Sequence, residues 1–324
     1  MIGLRQAAGF ALAGCLLTLS GCVTRGPLIP ASPKTVELAD TPFFPQREHQ
    51  CGPAALATVL NASGLGITPD ALEPRVYLPG KHGSLQVEMQ AAPRRYARLT
   101  YSLDPDLKPI LDELDAGRPV LVLHNYGVPF FPRWHYAVVV GYDAATDRVI
   151  LRSGVTRRQI LSTRNFMRAW DNGGRWALIV LRPGELPVSP DKARYLEAAA
   201  AFERVASPRD SQLAFDVAVK QWPDEPVGWI GRGTAHYRGG DLNAAADDYT
   251  SALHLDASQT GARNNLAMTL LDLGCVGQAR AQLDKIDSAQ LKEPLRAAVR
   301  DTHAQIEARS AELSGRSCRR RPAP

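Results

Sequence analysis

Cys51 and His135 are the two residues whose types could do chemistry together. Cys51 stands in Gln46-Arg47-Glu48-His49-Gln50-Cys51-Gly52-Pro53-Ala54-Ala55-Leu56. The run from Ala54 to Ala62 reads as a helix, ended by Gly64 and Gly66. Pro53 suits its first turn, because the N–H that proline lacks is unpaired there anyway. Cys51 is thus placed at a helix N-terminus, where the dipole and open amides favour the thiolate, the reactive form. A nucleophilic cysteine also needs a base, typically a histidine brought near in space rather than in sequence. His135 opens the strand-like run His135-Tyr136-Ala137-Val138-Val139-Val140-Gly141-Tyr142 after a loop rich in proline and aromatics. It can therefore face a cleft while the strand behind it is buried. A lone histidine is as readily structural as functional, so the pairing with Cys51 carries the weight.

Together, Gln-Cys-Gly-Pro-Ala-Ala-Leu around Cys51 and His-Tyr-Ala-Val-Val-Val-Gly from His135 resemble papain-like cysteine peptidases of the bacteriocin-processing, double-glycine leader family. The resemblance covers residues 40–182. It implies Cys51 as nucleophile, His135 as general base and acid, and Gln46 as donor to the oxyanion. Gln46 is one residue closer to the cysteine than is usual in the family, and Gln50, adjacent to Cys51, is expected to point elsewhere. A neutral amide aimed at the developing oxyanion is what acyl transfer needs. The family carries an Asp or Asn on the strand after the histidine strand, but Val149-Ile150-Leu151-Arg152-Ser153-Gly154 contains neither. Asp143, on the same strand as His135, would lie about 26 Å away at ~3.3 Å per residue. A hairpin turning near Ala145 returns residues Ser153 to Thr156 opposite His135. Ser153 is thus the candidate partner of the imidazole, a weaker acceptor than a carboxylate. Asn125, at the end of the preceding strand, is the alternative if those strands pair. A Cys–His pair can also act without a third group, because thiols are intrinsically acidic.

These residues need a helix and a sheet to hold them. A second helix is expected from Leu107 to Ala116, stopped by Gly117, and strands at Val120 to His124, Tyr136 to Tyr142, Val149 to Arg152 and Ala177 to Leu181. A helix followed by an antiparallel sheet reads as α+β, papain-like under the resemblance. Arg182-Pro183-Gly184-Glu185-Leu186-Pro187 breaks the pattern as a linker would. Residues 190–313 are alanine-rich and helical. A 34-residue register starting at Pro226 places Trp229, Gly233, Ala245 and Tyr249 where the tetratricopeptide repeat has its signature residues. Weaker units start at Lys192 and Thr260. The expected fold is a papain-like α+β domain followed by an all-α tetratricopeptide-repeat domain, whose concave groove would hold a protein partner or substrate.

The chain has 324 residues, 45% hydrophobic and 22% charged, which excludes disorder, collagen and coiled coil as whole-chain descriptions and leaves room for about two domains. Net charge is +5, part of it in a basic tail, residues 314–324, so no nucleic-acid partner is inferred. The five cysteines are scattered, with no CxxC, and give neither a zinc site nor a disulfide framework. Cys275 reads as a small packing residue and Cys318 as a bystander in a frayed tail. Arg5 and the apolar run ending Leu19-Ser20-Gly21-Cys22 resemble a lipoprotein signal, residues 1–21, with Cys22 as the lipidated first residue of the mature chain. Val23, in place of an aspartate, points to the outer membrane with the body facing the periplasm. Residues 22–39, with three prolines between Val23 and Pro33, read as a tether.

Other residues carry less. His49 and His82 read as solvated, and His124 could line the cleft. Phe130, Phe131 and Trp134 either shape a substrate wall or cap the core. Arg157, Arg158 and Arg164 read as surface charges. Neither a metal nor a cofactor is called for. The leader-processing relatives are fused to transporters, yet no GxxxxGK[ST] loop occurs here, so the substrate need not be a double-glycine leader. The leading expectation is a lipid-anchored cysteine peptidase acting on a peptide or protein. The alternatives are a Cys-dependent acyltransferase and a non-catalytic scaffold lipoprotein.

Overall fold

Val120–Asn125 reads Val-Leu-Val-Leu-His-Asn and is buried along its whole length. A strand without a polar face must be covered on both sides, and the computed structural model shows how. It describes residues 26–47, 50–128, 130–313 and 318–320. The elements of the first unit are β1 (Thr35–Glu37), α1 (Cys51–Ala62), α2 (Pro69–Val76), β2 (Tyr77–Leu78), β3 (Gly83–Ser84), α3 (Gln86–Ala91), β4 (Leu99–Ser102), α4 (Leu107–Asp115), β5 (Val120–Asn125), β6 (Trp134–Asp143), β7 (Arg148–Ser153), β8 (Thr156–Ser162), α5 (Thr163–Asn172) and β9 (Ala177–Leu181). Among the described residues, an antiparallel sheet runs β4-β9-β5-β6-β7-β8. The register of β5 against β6 ends at Val120 opposite Val139, and β1 extends the row against Gly141 to Asp143.

The two-residue period of the strands sorts their side chains between two cores. Leu121, Val138, Val140 and Ile150 meet Leu56, Val59 and Leu60 of α1, Leu72 of α2 and Met89 of α3. Val122, Ala137, Val139 and Leu151 meet Ile110 and Leu114 of α4 and Phe166 and Trp170 of α5.

That second core continues into the helices that follow: α6 (Lys192–Glu203), α7 (Pro208–Gln221), α8 (Pro226–Gly239), α9 (Leu242–Leu255), α10 (Thr260–Asp272), α11 (Val276–Leu283) and α12 (Leu295–Leu313). Tyr195, Leu196, Ala199 and Phe202 of α6 and Phe215 of α7 belong to the same buried cluster as the sheet. The segment between the units is fastened rather than loose. The N–H of Val188 donates to the buried Glu113 carboxylate at 2.7 Å, and the N–H of Asp191 donates to the Tyr101 hydroxyl at 2.9 Å. Consecutive helices from α6 to α11 pack in pairs, and α12 closes the array against α10 and α11. Between α8 and α9, Asp248 accepts from Arg232 at 2.7 Å and meets His236 Nδ1 at 2.9 Å.

Three expectations need revision. Cys275 and Cys318 are joined in a disulfide, so they are neither a packing thiol nor a bystander. Their separation of 43 residues hides the pairing in sequence, because α12 has to run back along α10 and α11 before the two meet. With them, residues 318–320 are docked rather than frayed: Arg319 N–H donates to the Leu273 carbonyl at 3.0 Å, and the Arg320 guanidinium meets Thr250 Oγ1 at 3.3 Å. Finally, part of the stretch read as a tether lies on the body. Ile29 is buried, the N–H groups of Leu28 and Ile29 donate to the Asp147 carboxylate, and residues 35–37 form β1. Apolar Ile29 and the extended Thr-Val-Glu outweigh the neighbouring prolines. The signal segment, which contains Cys15, and Cys22 lie outside the described residues, as does His49.

Candidate active site

α1 begins at Cys51 itself, with Gln50 as its N-cap residue. Pro53 has no N–H to offer, so Cys51 and Gly52 supply the open backbone donors of this first turn, and both approach the thiol. A third donor is the backbone N–H of Tyr136, the residue after His135. This contact sets the cysteine beside the start of β6. Gly52 lets the β2–β3 hairpin close on this turn: a Cβ at that position would lie 2.2 Å from Ser84 Oγ. Tyr136 is turned toward α1, its hydroxyl donating to the Ser84 carbonyl at 3.3 Å and its ring edge-on to Trp176.

Gln46 is carried to the same place by the strand ends. Its N–H donates to the Gly154 carbonyl at 3.1 Å, in the turn after β7. The buried Arg152 of β7 clasps the approach to it through the carbonyls of Ala39 and Thr41. Gln46, Cys51 and His135 line one cleft of about 1200 Å³, with the β2–β3 hairpin, Pro132 and Trp134, and the turn 171–176 as its walls. Ser153 lies behind His135, with its Oγ 2.9 Å from His135 Nε2. With Nε2 engaged by Ser153, Nδ1 is the ring nitrogen that remains to exchange a proton with a thiol.

The candidates for the third position differ in the hydrogen bonds they make. Asn125 is in register with Trp134, but its Oδ1 accepts the N–H groups of Gly127 and Arg133, at 2.9 and 2.8 Å. It holds the β5–β6 hairpin, not the imidazole. Asp143 caps the far hairpin turn through Ala145 and Thr146. Gln50 lines a separate hollow with Thr68 and Asp70. His82 stands exposed on the cleft rim. His124 is fully buried and does not line the cleft, contrary to expectation: its ring lies edge-on against Phe166 of α5, with centroids 5.2 Å apart. Trp134 and Pro132 wall the cleft, whereas Phe130 and Phe131 stand in solvent, 88% and 77% exposed, and do not cap the core. Arg158 is partly exposed and forks onto Glu37 at 2.8 and 2.9 Å.

The electrostatics differ from the sequence expectation. Burial pushes the Cys51 thiol above its ordinary pKa, and the three backbone donors only offset part of that. Burial likewise lowers the pKa of His135. Taking a group out of water penalises whichever form is charged, thiolate in one case and imidazolium in the other. At neutral pH the resting pair is therefore thiol and imidazole, not an ion pair. Because Nε2 faces a hydroxyl that both donates and accepts, Ser153 supports the ring without dictating which nitrogen carries the proton. The arrangement suits a general base that takes the thiol proton as the sulfur attacks.

Sequence reasoning missed Ser84, Trp176 and Tyr126. Ser84 and Trp176 line the cleft, and nothing local marks them. The Asp171-Asn172-Gly173-Gly174-Arg175 turn carried a signal in its paired glycines. Among the described residues, no cluster of His, Cys, Asp or Glu could hold a metal ion.

No curated protein matches the chain. Solved structures similar to it include a candidate C39-like peptidase from Bacillus anthracis, 16% identical over 46% of this chain and 98% of that one, with a TM-score of 0.38. Another is the peptidase domain of Streptococcus ComA, a bifunctional ABC transporter involved in a quorum-sensing pathway, 22% identical over 44% of this chain and 98% of that one, with a TM-score of 0.37. Residues 38–177, which contain Gln46, Cys51, His135 and Ser153, match the family described as the Peptidase_C39 like family.

Proposed function

We propose that the chain is a lipid-anchored periplasmic cysteine peptidase that hydrolyses peptide bonds through an acyl-enzyme. The observation that carries this reading is the convergence of Gln46, Cys51 and His135 on one cleft, with Ser153 hydrogen-bonded to the imidazole. Cys51 Sγ attacks the scissile carbonyl while His135 Nδ1 takes its proton. The oxyanion is met by the Cys51 N–H and the Gln46 amide. His135 then delivers the proton to the leaving amine, and water completes the cycle with the same residue as base. The family match of residues 38–177 supports a peptidase. The paired helices would act as tetratricopeptide repeats that hold a protein partner or substrate. The Cys275–Cys318 disulfide supports an oxidising compartment, in keeping with export.

The neutral resting pair and the hydroxyl at the third position favour a second reading, a scaffold lipoprotein with an idle cleft. A peptidyl acyloxymethyl ketone separates the two, because it alkylates a cysteine only where the site first binds and attacks it. Cys51 should be modified in the native protein, and His135→Ala should slow this by about 100-fold, the scale of general-base catalysis. Modification no faster than that of a free thiol, and indifferent to His135, would leave only the scaffold. An added amine that captures the acyl group in preference to water would identify an acyltransferase. Release of the protein from membranes by Cys22→Ser tests the anchor.

A further inference from the structure

His124 is a buried titratable group with no part in the mechanism above. We propose that Tyr126 and His124 form a positioning pair that keeps the His135 imidazole seated on Ser153. This rests on the reading of His135 as the general base.

In the antiparallel register of β5 and β6, His124 lies directly opposite His135. Cross-strand partners project on the same face of a sheet. Tyr126, two residues further along, lays its ring against the His135 ring, with centroids 5.9 Å apart and planes at 44°. Its hydroxyl meets His124 Nδ1 at 2.8 Å. His124 is itself wedged edge-on against Phe166 at 5.2 Å and is 0% exposed. The chain of contacts thus runs from a buried core residue, through a half-exposed tyrosine, to the catalytic ring.

Two features make this more than packing. Nε2 of His124 is buried without a hydrogen-bond partner among the described residues. A leucine there would fill space without stranding a polar atom, which is ordinarily unfavourable. What the imidazole adds is the Nδ1 bond to Tyr126, whichever way the shared proton lies. Burial also holds the His124 pKa at about 3, so no positive charge stands opposite His135 at neutral pH. The need for such a pair is on the other side of the ring. Ser153 offers one rotatable hydroxyl where a carboxylate would offer a fixed acceptor, so it cannot by itself stop the imidazole from swivelling. Tyr126 is anchored for the purpose, its N–H donating to the Arg133 carbonyl at 3.0 Å.

The experiment compares wild type, Tyr126→Phe and His124→Leu, with His135→Ala as reference. Imidazole NMR signals of His135 report whether the ring holds one orientation, and iodoacetamide labelling of Cys51 across pH reports the base. Tyr126→Phe keeps the aromatic ring and is half exposed, so its fold should survive even if His124→Leu does not. We expect Tyr126→Phe to broaden or average the His135 signals, slow Cys51 labelling by about 3–10-fold at neutral pH, and shift the pH profile. Wild-type His135 signals and a wild-type labelling profile in Tyr126→Phe would overturn the proposal. If His135→Ala itself leaves labelling unchanged, the base reading fails. The NMR signals then still decide, separately, whether the ring is held.

Discussion

At Cys51, backbone hydrogen bonding and burial pull in opposite directions. The helix start and three backbone N–H groups favour the thiolate, but the partly buried position outweighs them and the thiol pKa rises. His135 moves the opposite way for the same reason. For both groups the uncharged form is preferred in the fold. Raising the pH must first exceed the ordinary thiol range, about 8.5, before Cys51 ionises on its own. Alkylation by iodoacetamide should therefore climb through pH 9 and beyond. A plateau reached below pH 7 would instead reveal a preformed ion pair and contradict this account. The members of the pair were legible because each sits in a local pattern: a cysteine before Gly-Pro, and a histidine opening an apolar strand. Ser153 was legible through hairpin arithmetic. The direction of the thiol shift was not, because burial depends on Ser84, Tyr136 and the β2–β3 hairpin, which sequence does not bring near Cys51. Tyr126 and His124 stayed hidden because their roles need the β5–β6 register.

The β5–β6 hairpin is the element on which most of this depends. It carries His124, Tyr126 and His135, and it presents Pro132 and Trp134 to the cleft. Gly127 sits at its closest approach: a Cβ there would lie 2.0 Å from the Phe131 carbonyl oxygen and 2.7 Å from the Arg133 nitrogen, both backbone atoms that cannot swing aside. Gly127→Ala should force the tip open, lower stability by about 1–3 kcal/mol, and slow Cys51 labelling together with it. Phe130→Ser, at an 88% exposed position outside the cleft wall, should change neither. A urea midpoint and a labelling rate for each variant decide the matter, and a wild-type Gly127→Ala would show that the tip tolerates rearrangement. The main strands were readable because Val, Ile and Leu run together in them. β8 was not, since Thr-Arg-Arg-Gln-Ile-Leu-Ser is an edge strand whose charges face water. β1, with three residues, is too short to show a period.

On the scale of the whole molecule, composition changes near residue 190 but the core does not end there. The alanine-rich pattern correctly announces helices, while Tyr195, Leu196 and Phe202 complete the same buried cluster as Tyr101, Val122 and Phe166 of the sheet unit. Periodicity reports what a segment becomes, not what it packs on, so this continuity was invisible in sequence, as was the disulfide that folds the tail onto the last helices. Each large apolar side chain of α6 contributes roughly 1.5–3 kcal/mol when fully buried. Three of them approach the total of about 5–15 kcal/mol that stabilises an ordinary domain. A chain of residues 26–182, cut at the compositional boundary, should therefore unfold at much lower urea or aggregate. A chain of residues 26–221, which keeps α6 and α7, should retain one cooperative transition and the selective reactivity of Cys51. If residues 26–182 instead unfold at the midpoint of the longer chain, α6 and α7 merely rest on the sheet and the unit holding the cleft is complete without them.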